Sequence, residues 1–240
     1  MIIDAHTCFH TYEMKGIRLT EDEFIKYLDK FEIEKAMVCC PFYLLSDFIF
    51  GNDKILSFMR KYPDRIIGFA TINPLFEKEA IKEIERCINK GMKGVKLHCD
   101  LSQVPYNSVL TFPVIEKCIE LKIPIFLHTE EDSIKEAVFI AEKYPEATFV
   151  FAHIGNTAWR ETLSFVKEKK NVILCLSGNI FEIGFLEESV KCVGDERVVY
   201  GSDFVFVNPA INLGIIKKSS LPEESKNKIL YLNAKRVYKI

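Results

Sequence analysis

Residues 124–153 read PIFLHTEEDSIKEAVFIAEKYPEATFVFAH, and they hold one full turn of the pattern that decides the fold. Pro124–His128 is a short apolar run ending in histidine, and Thr148–His153 is another. Runs that are apolar on both faces suit strands buried inside a parallel sheet. Between them, Ser133-Ile134-Lys135-Glu136 has the spacing of a helix capping box, with Ala137, Ile140, Ala141 and Tyr144 on one face behind it. The unit is strand, helix, strand, with a histidine closing each strand.

Outward from this unit the same alternation continues in both directions. Further apolar runs fall at Met1–Ala5, Lys35–Cys40, Ile66–Ile72, Gly94–His98, Asn171–Leu176 and Arg197–Tyr200. Helical periodicity fits Lys54–Lys61, Glu77–Lys90, Phe112–Leu121, Ala158–Glu168, Phe181–Cys192 and Ser220–Leu232. Thr20-Glu21-Asp22-Glu23 is a second capping box, and Gly91 is a natural stop for the helix ending at Lys90. Strand starts recur at roughly 24–33 residues, the length of one strand–helix unit. Eight units without a linker or a shift in composition predict one domain over 1–240, a closed (β/α)8 barrel of the TIM type. An open doubly wound sheet would carry a Gly-rich phosphate loop after an early strand, and the sequence has none.

Composition narrows the function. The chain has 240 residues, 48% hydrophobic and 28% charged, with a net charge of −2. No basic block exists to favour nucleic acid or an acidic membrane as partner. Met1-Ile2-Ile3-Asp4 lacks the features of a secretory leader, and no run is long enough for a membrane span. Most of the eight cysteines sit within apolar strand or helix patterns, where a reduced thiol behaves as a small core residue. A cytoplasmic protein acting on a small molecule is expected. Pro41–Phe50, unusually apolar for a loop, reads as a lid, a pocket wall or a homodimer contact.

Barrel chemistry lies at the C-terminal ends of the strands. All five histidines fall there: His6 and His10 after the first strand, then His98, His128 and His153 ending the fourth, fifth and sixth. Asp203 follows the eighth strand within Tyr200-Gly201-Ser202-Asp203. Imidazoles and a carboxylate on one rim are the donors a borderline-soft divalent ion needs. Asp4, His6 and Cys8 are spaced to share one face of an extended segment. His6 and Cys8 suit a shared ion, with His10 in reserve and Asp4 as an orienting group. Lys96 shares its strand face with His98. Trp159 reads as pocket lining or core, and Glu130 and Glu131 read as solvated. No Gly-x-Ser-x-Gly elbow supports a serine triad.

With those motifs in place, the chain resembles the amidohydrolase superfamily, in particular the amidohydrolase 2 branch that contains aminocarboxymuconate-semialdehyde decarboxylase. The resemblance spans the chain through Ile3-Asp4-Ala5-His6-Thr7-Cys8, Gly94-Val95-Lys96-Leu97-His98, Pro124–His128, Phe151-Ala152-His153-Ile154-Gly155, Gly201-Ser202-Asp203 and Asn233-Ala234-Lys235-Arg236. It implies a mononuclear Zn2+ site with His6, His128 and Asp203 as ligands, to which the thiol of Cys8 is a candidate fourth, and His153 acting on the substrate. His98, Lys96, Trp159 and Arg160 are then substrate-side candidates. A carbamate on Lys96, bridging two metals, is a further option that the superfamily offers.

Cys8 departs from the family pattern, standing where a second histidine is usual. It is a soft thiolate ligand, or it stands aside in favour of three ligands or His10, or it marks a degenerate site. Three functions follow. The leading expectation is hydrolysis, with water activated by the metal, Asp203 as the proton carrier and His153 steadying the oxyanion. The second is a non-oxidative decarboxylase of an unsaturated or aromatic acid, with Lys96 or Arg160 meeting the carboxylate. The third is a barrel that binds without catalysis.

Overall fold

The computed structural model describes residues 1–10, 19–178 and 182–240. Phe181, the expected start of one helix, lies outside them. The strands are β1 (Ile3–Cys8), β2 (Lys35–Cys39), β3 (Ile66–Gly68), β4 (Ala70–Thr71), β5 (Val95–Leu97), β6 (Ile125–His128), β7 (Phe149–Ala152), β8 (Val172–Leu176) and β9 (Val198–Tyr200). All pair in parallel, as β1-β2-β3 and as β4 through β9 in sequence order.

These nine make eight staves, because β3 and β4 are one strand broken at Phe69. Its amide still bonds to Val38 O at 2.9 Å on one side, and Ala70 N bonds to Gly94 O at 2.9 Å on the other. The last gap closes where Cys8 N donates to Phe204 O at 2.6 Å and Asp203 N donates to His6 O at 2.9 Å. Asp4 adds a side-chain clasp, its Oδ1 accepting from Ser202 N at 2.9 Å. The result is a closed TIM barrel, which removes every sheet edge.

Helices alternate with the strands: α1 (Glu21–Lys30), α2 (Phe48–Lys61), α3 (Glu77–Asn89), α4 (Cys99–Ser102), α5 (Phe112–Glu120), α6 (Ile134–Lys143), α7 (Trp159–Val166), α8 (Phe185–Val193) and α9 (Pro209–Lys218). The larger apolar core lies between strands and helices and includes Phe24, Phe58, Ile84, Ile115, Ile140 and Trp159. A second cluster holds residues of seven staves together, among them Ile3, Met37, Phe69, Phe126, Val150 and Val199. That is the arrangement expected of a barrel filled by its own side chains.

Three expectations need correction. The Ser133 box does not form, since Ser133 makes no side-chain cap bond and Glu136 Oε2 instead accepts from Tyr106 N at 3.0 Å. Pro41–Phe50 is not wholly loop, because Asp47 caps a helix that starts at Phe48. Asp4, His6 and Cys8 do not keep one simple alternation either. The β1–β2 register slips between Asp4 and Thr7, so Ile3, Ala5 and Cys8 all join the inner cluster, which a strict alternation of two would not allow. Such a one-residue bulge re-aims side chains near a barrel rim.

Candidate metal centre at the barrel mouth

Short strand ends deliver the polar residues to one place. The His6 ring lies 4.7 Å from that of Phe126 and 5.2 Å from that of His153. His6 Nδ1 stands 3.7 Å from Asp203 Oδ1, and it is buried without a hydrogen-bond partner among the described residues. One donor atom each from His6, His153 and Asp203 falls within 4.8 Å of the others. His153 Nε2 is 3.2 Å from His128 Nδ1, and His98 stacks on the His128 ring at 3.7 Å. Lys96 Nζ, also buried and without a hydrogen-bond partner among the described residues, lies 4.6 Å over the Phe126 ring.

Local backbone geometry sets this arrangement. His153 and Asp203 both adopt positive φ, at 61° and 62°, immediately beyond β7 and close beyond β9. Ile154 follows at 51°, a β-branched residue in a region it rarely enters. Each such residue costs about 1–3 kcal/mol, and strain of this kind gathers at functional sites. The turn is held because His153 N donates to Ser177 Oγ at 3.2 Å and Gly155 N donates to Thr129 Oγ1 at 3.2 Å. Tyr106 supports the neighbouring strand end by donating its hydroxyl to His128 O at 2.6 Å.

Burial dominates the electrostatics. It pulls His128 down to about 3, assisted by Lys96, and His153 to about 3, assisted by His128 and then Lys96. His6 and His98 are held well below their ordinary value, again chiefly by burial. All four imidazoles are therefore neutral near pH 7, the form that offers a lone pair to a cation. Burial pushes Asp203 up to about 7 against the lowering effect of Lys96, which leaves it able to carry a proton at neutral pH. Four neutral rings, a carboxyl and a His6 nitrogen with no hydrogen-bond partner among the described residues fit a divalent ion.

The expected residues divide. His6, Asp203, His153, His128, His98 and Lys96 come together. Within that group, the donor atom meeting those of His6 and Asp203 belongs to His153, and His128 stands behind it in a group with His98 and Asp100. Cys8 falls instead in a group with His6 and Cys39, its sulfur 3.9 Å from that of Cys39. His10 packs edge-on against Phe42, with ring centroids 4.9 Å apart.

Trp159 and Arg160 are committed elsewhere. Trp159 is fully buried against Phe185, and Arg160 pairs with Glu182 at 2.6 Å and Glu188 at 3.7 Å, so its charge is already answered. Glu130, read as solvated, keeps 35% of its side chain exposed and also faces the site. Its Oε1 lies 3.3 Å from His128 Nε2, and its Oε2 accepts from Asn156 Nδ2 at 3.0 Å. Glu130 and Cys39 are the residues that sequence reasoning missed. The signal for Cys39 was its place opposite Cys8 in the strand register, which only a correct bulge reveals.

A closed barrel with imidazoles and a carboxyl at its mouth defines the amidohydrolase-type class. The chain belongs to the amidohydrolase family (Amidohydro_2), whose model matches residues 50–240. It is similar to gamma-resorcylate decarboxylase of Polaromonas sp. (strain JS666 / ATCC BAA-500), 22% identical over 79% of this chain and 75% of that protein. Among solved structures, 2,6-dihydroxybenzoate decarboxylase from Rhizobium superposes with a TM-score of 0.79 at 18% identity, covering 99% of this chain and 98% of the other. Dihydroxybenzoic acid decarboxylase from Polaromonas sp. JS666, with bound manganese and 2-nitroresorcinol, gives 0.78 at 20% identity over 99% and 96%. At these identities the structural likeness speaks for the fold. Among the described residues no helix is long and apolar enough to cross a membrane.

Proposed function

We propose that this chain is a metal-dependent, non-oxidative decarboxylase of a small aromatic or unsaturated carboxylic acid. The observation that carries the reading is the meeting of the Asp203 carboxyl and the His6 ring, 3.7 Å apart, in the same barrel mouth as the buried Lys96 amino group. The similarity to dihydroxybenzoate decarboxylases over most of the chain supports it. Hydrolysis, the leading expectation from the sequence, lacks comparable support.

His6, Asp203 and His153 are the residues that would hold the cation, a zinc-class ion given the nearby thiols. The cation supplies positive charge that anchors and polarises an anionic substrate. Lys96 donates to the carboxylate and fixes its orientation. When the bond from ring or chain carbon to the carboxylate breaks, carbon dioxide leaves and the electron pair stays on carbon. Asp203 delivers the proton that this carbon takes up. His128 Nδ1 lies 3.2 Å from His153 Nε2 and keeps that ring in place, while Glu130 Oε1 stands 3.3 Å from His128 Nε2. The buried rings exclude water from the reacting carbon.

Carbon dioxide release from a panel of hydroxybenzoates and unsaturated acids, with zinc or manganese supplied, tests the reading. Turnover of at least one acid is expected, and Asp203→Asn should abolish it while the fold stays intact. Amide or lactone hydrolysis without carbon dioxide release would overturn the proposal.

A further inference from the structure

We propose that Cys39 joins Cys8 and His6 as a ligand of the site's cation, making it a two-sulfur, zinc-class centre. This deepens the cation-dependent reading above and rests on it.

Three observations converge on the pair. One donor atom each from His6, Cys8 and Cys39 falls within 4.8 Å of the others, and all three residues are buried. The two sulfurs are 3.9 Å apart. Two thiolates bound to one zinc at about 2.3 Å, in tetrahedral geometry, stand about 3.8 Å from each other. The spacing therefore needs no rearrangement to admit the ion.

The strand register explains how the pair arises. Cys8 and Cys39 are direct partners across β1 and β2, and the slip between Asp4 and Thr7 puts Cys8 into the inward phase shared by Met37 and Cys39. Without that extra residue the alternation of two would leave the sulfurs on opposite sides of the sheet.

Chemistry then selects the occupant. Soft thiolates favour zinc or cadmium over manganese, which prefers oxygen and nitrogen. On binding, each thiol S–H breaks and an S–metal bond forms, and two protons pass to solvent with no change of oxidation state. His6 belongs to both donor groups, so the sulfur pair adjoins the Asp203 side of the site. Two thiolates lower the net charge of the centre, so the cation polarises the substrate as a Lewis acid while the Lys96 amino group adds the positive charge that meets a carboxylate.

Cobalt(II) and cadmium(II) titrations of the reduced, metal-stripped full chain provide the test, read as thiolate-to-metal charge-transfer absorption. One bound ion with a two-thiolate band is expected. Cys8→Ser and Cys39→Ser should each halve the band, and Zn2+ affinity should fall on the order of 100-fold in Cys39→Ser. A cation bound without any sulfur band would overturn the inference and leave the decarboxylase reading standing. No bound cation at all would overturn both. If Cys39→Ser does not fold, the wild-type band decides alone, and an intensity of one thiolate per ion overturns the proposal.

Discussion

His153 illustrates how narrowly one residue is held at this site. Its φ is 61°, its backbone amide donates to Ser177 Oγ, and its ring bonds to His128. Gly178 closes the remaining side. A Cβ built there would lie 2.6 Å from His153 Nδ1, and Gly178 itself sits at a φ of +87°. Gly178→Ala must therefore strain its own backbone and push the imidazole off Asp203 and His6. We expect at least a tenfold loss of both turnover and cation affinity, with a stability cost of about 1–2 kcal/mol. Isothermal titration with zinc, alongside urea denaturation, checks this. Wild-type affinity in a destabilised variant would mean that the ring is free to settle elsewhere without consequence.

Elements were legible in the sequence wherever the deciding forces are local. Each predicted strand run overlaps an observed strand, since burial on both faces leaves an unbroken apolar run, as in Phe149–Ala152 and Val172–Leu176. Helix starts depended on whether a capping side chain was free to cap. Thr20 and Glu23 exchange both bonds of the box, at 3.2 and 2.8 Å. Ser133 and Glu136 have the same spacing, but Ser133 Oγ accepts from Glu130 N and Glu136 is taken by Tyr106. Helix α9 was overlooked because its apolar residues lack a clear face. The bulge in β1 was illegible too, for an extra residue changes pairing without changing composition, and with it went the Cys8–Cys39 contact. Five histidines at strand ends were readable because the barrel sends every strand end to one rim, whereas the partner of each ring depends on turns such as the one at Ile154. The box at α1 gives a clean check. Thr20→Ala should cost about 1 kcal/mol, or about 2–4 °C in Tm for a chain of this size. A thermal melt unchanged by the substitution would show that packing of Phe24 and Leu28 alone secures this helix.

The whole molecule carries the cost of assembling so many ionisable groups in a dry interior, and pH exposes it. In the unfolded chain the histidines protonate near their ordinary value of 6.5, while the folded His6, His98, His128 and His153 resist protonation until far lower pH. Their depressed values stabilise the fold above pH 6.5 and withdraw that support as the medium becomes more acid. Asp4 and Asp203 work in the opposite sense. Their ordinary value is 3.8 and burial raises both to about 7, so their contribution is complete below pH 3.8 and fades as pH rises through 7. Between pH 4 and 6.5 the unfolded state thus gains four imidazole protons and the folded state retains two carboxyl protons, a difference of two in favour of unfolding. Linkage then gives a loss of about 2–3 kcal/mol for each pH unit below 6.5 in the metal-free protein. Urea midpoints of chelated, reduced protein at pH 7, 6 and 5 measure it. Saturating zinc at pH 7 should raise the midpoint by mass action, and the acid loss should then be steeper, because protons and the cation compete for the same imidazole lone pairs. A midpoint flat from pH 7 to 5 would mean that water reaches the rings, and neutral imidazoles could no longer be credited to burial in the barrel.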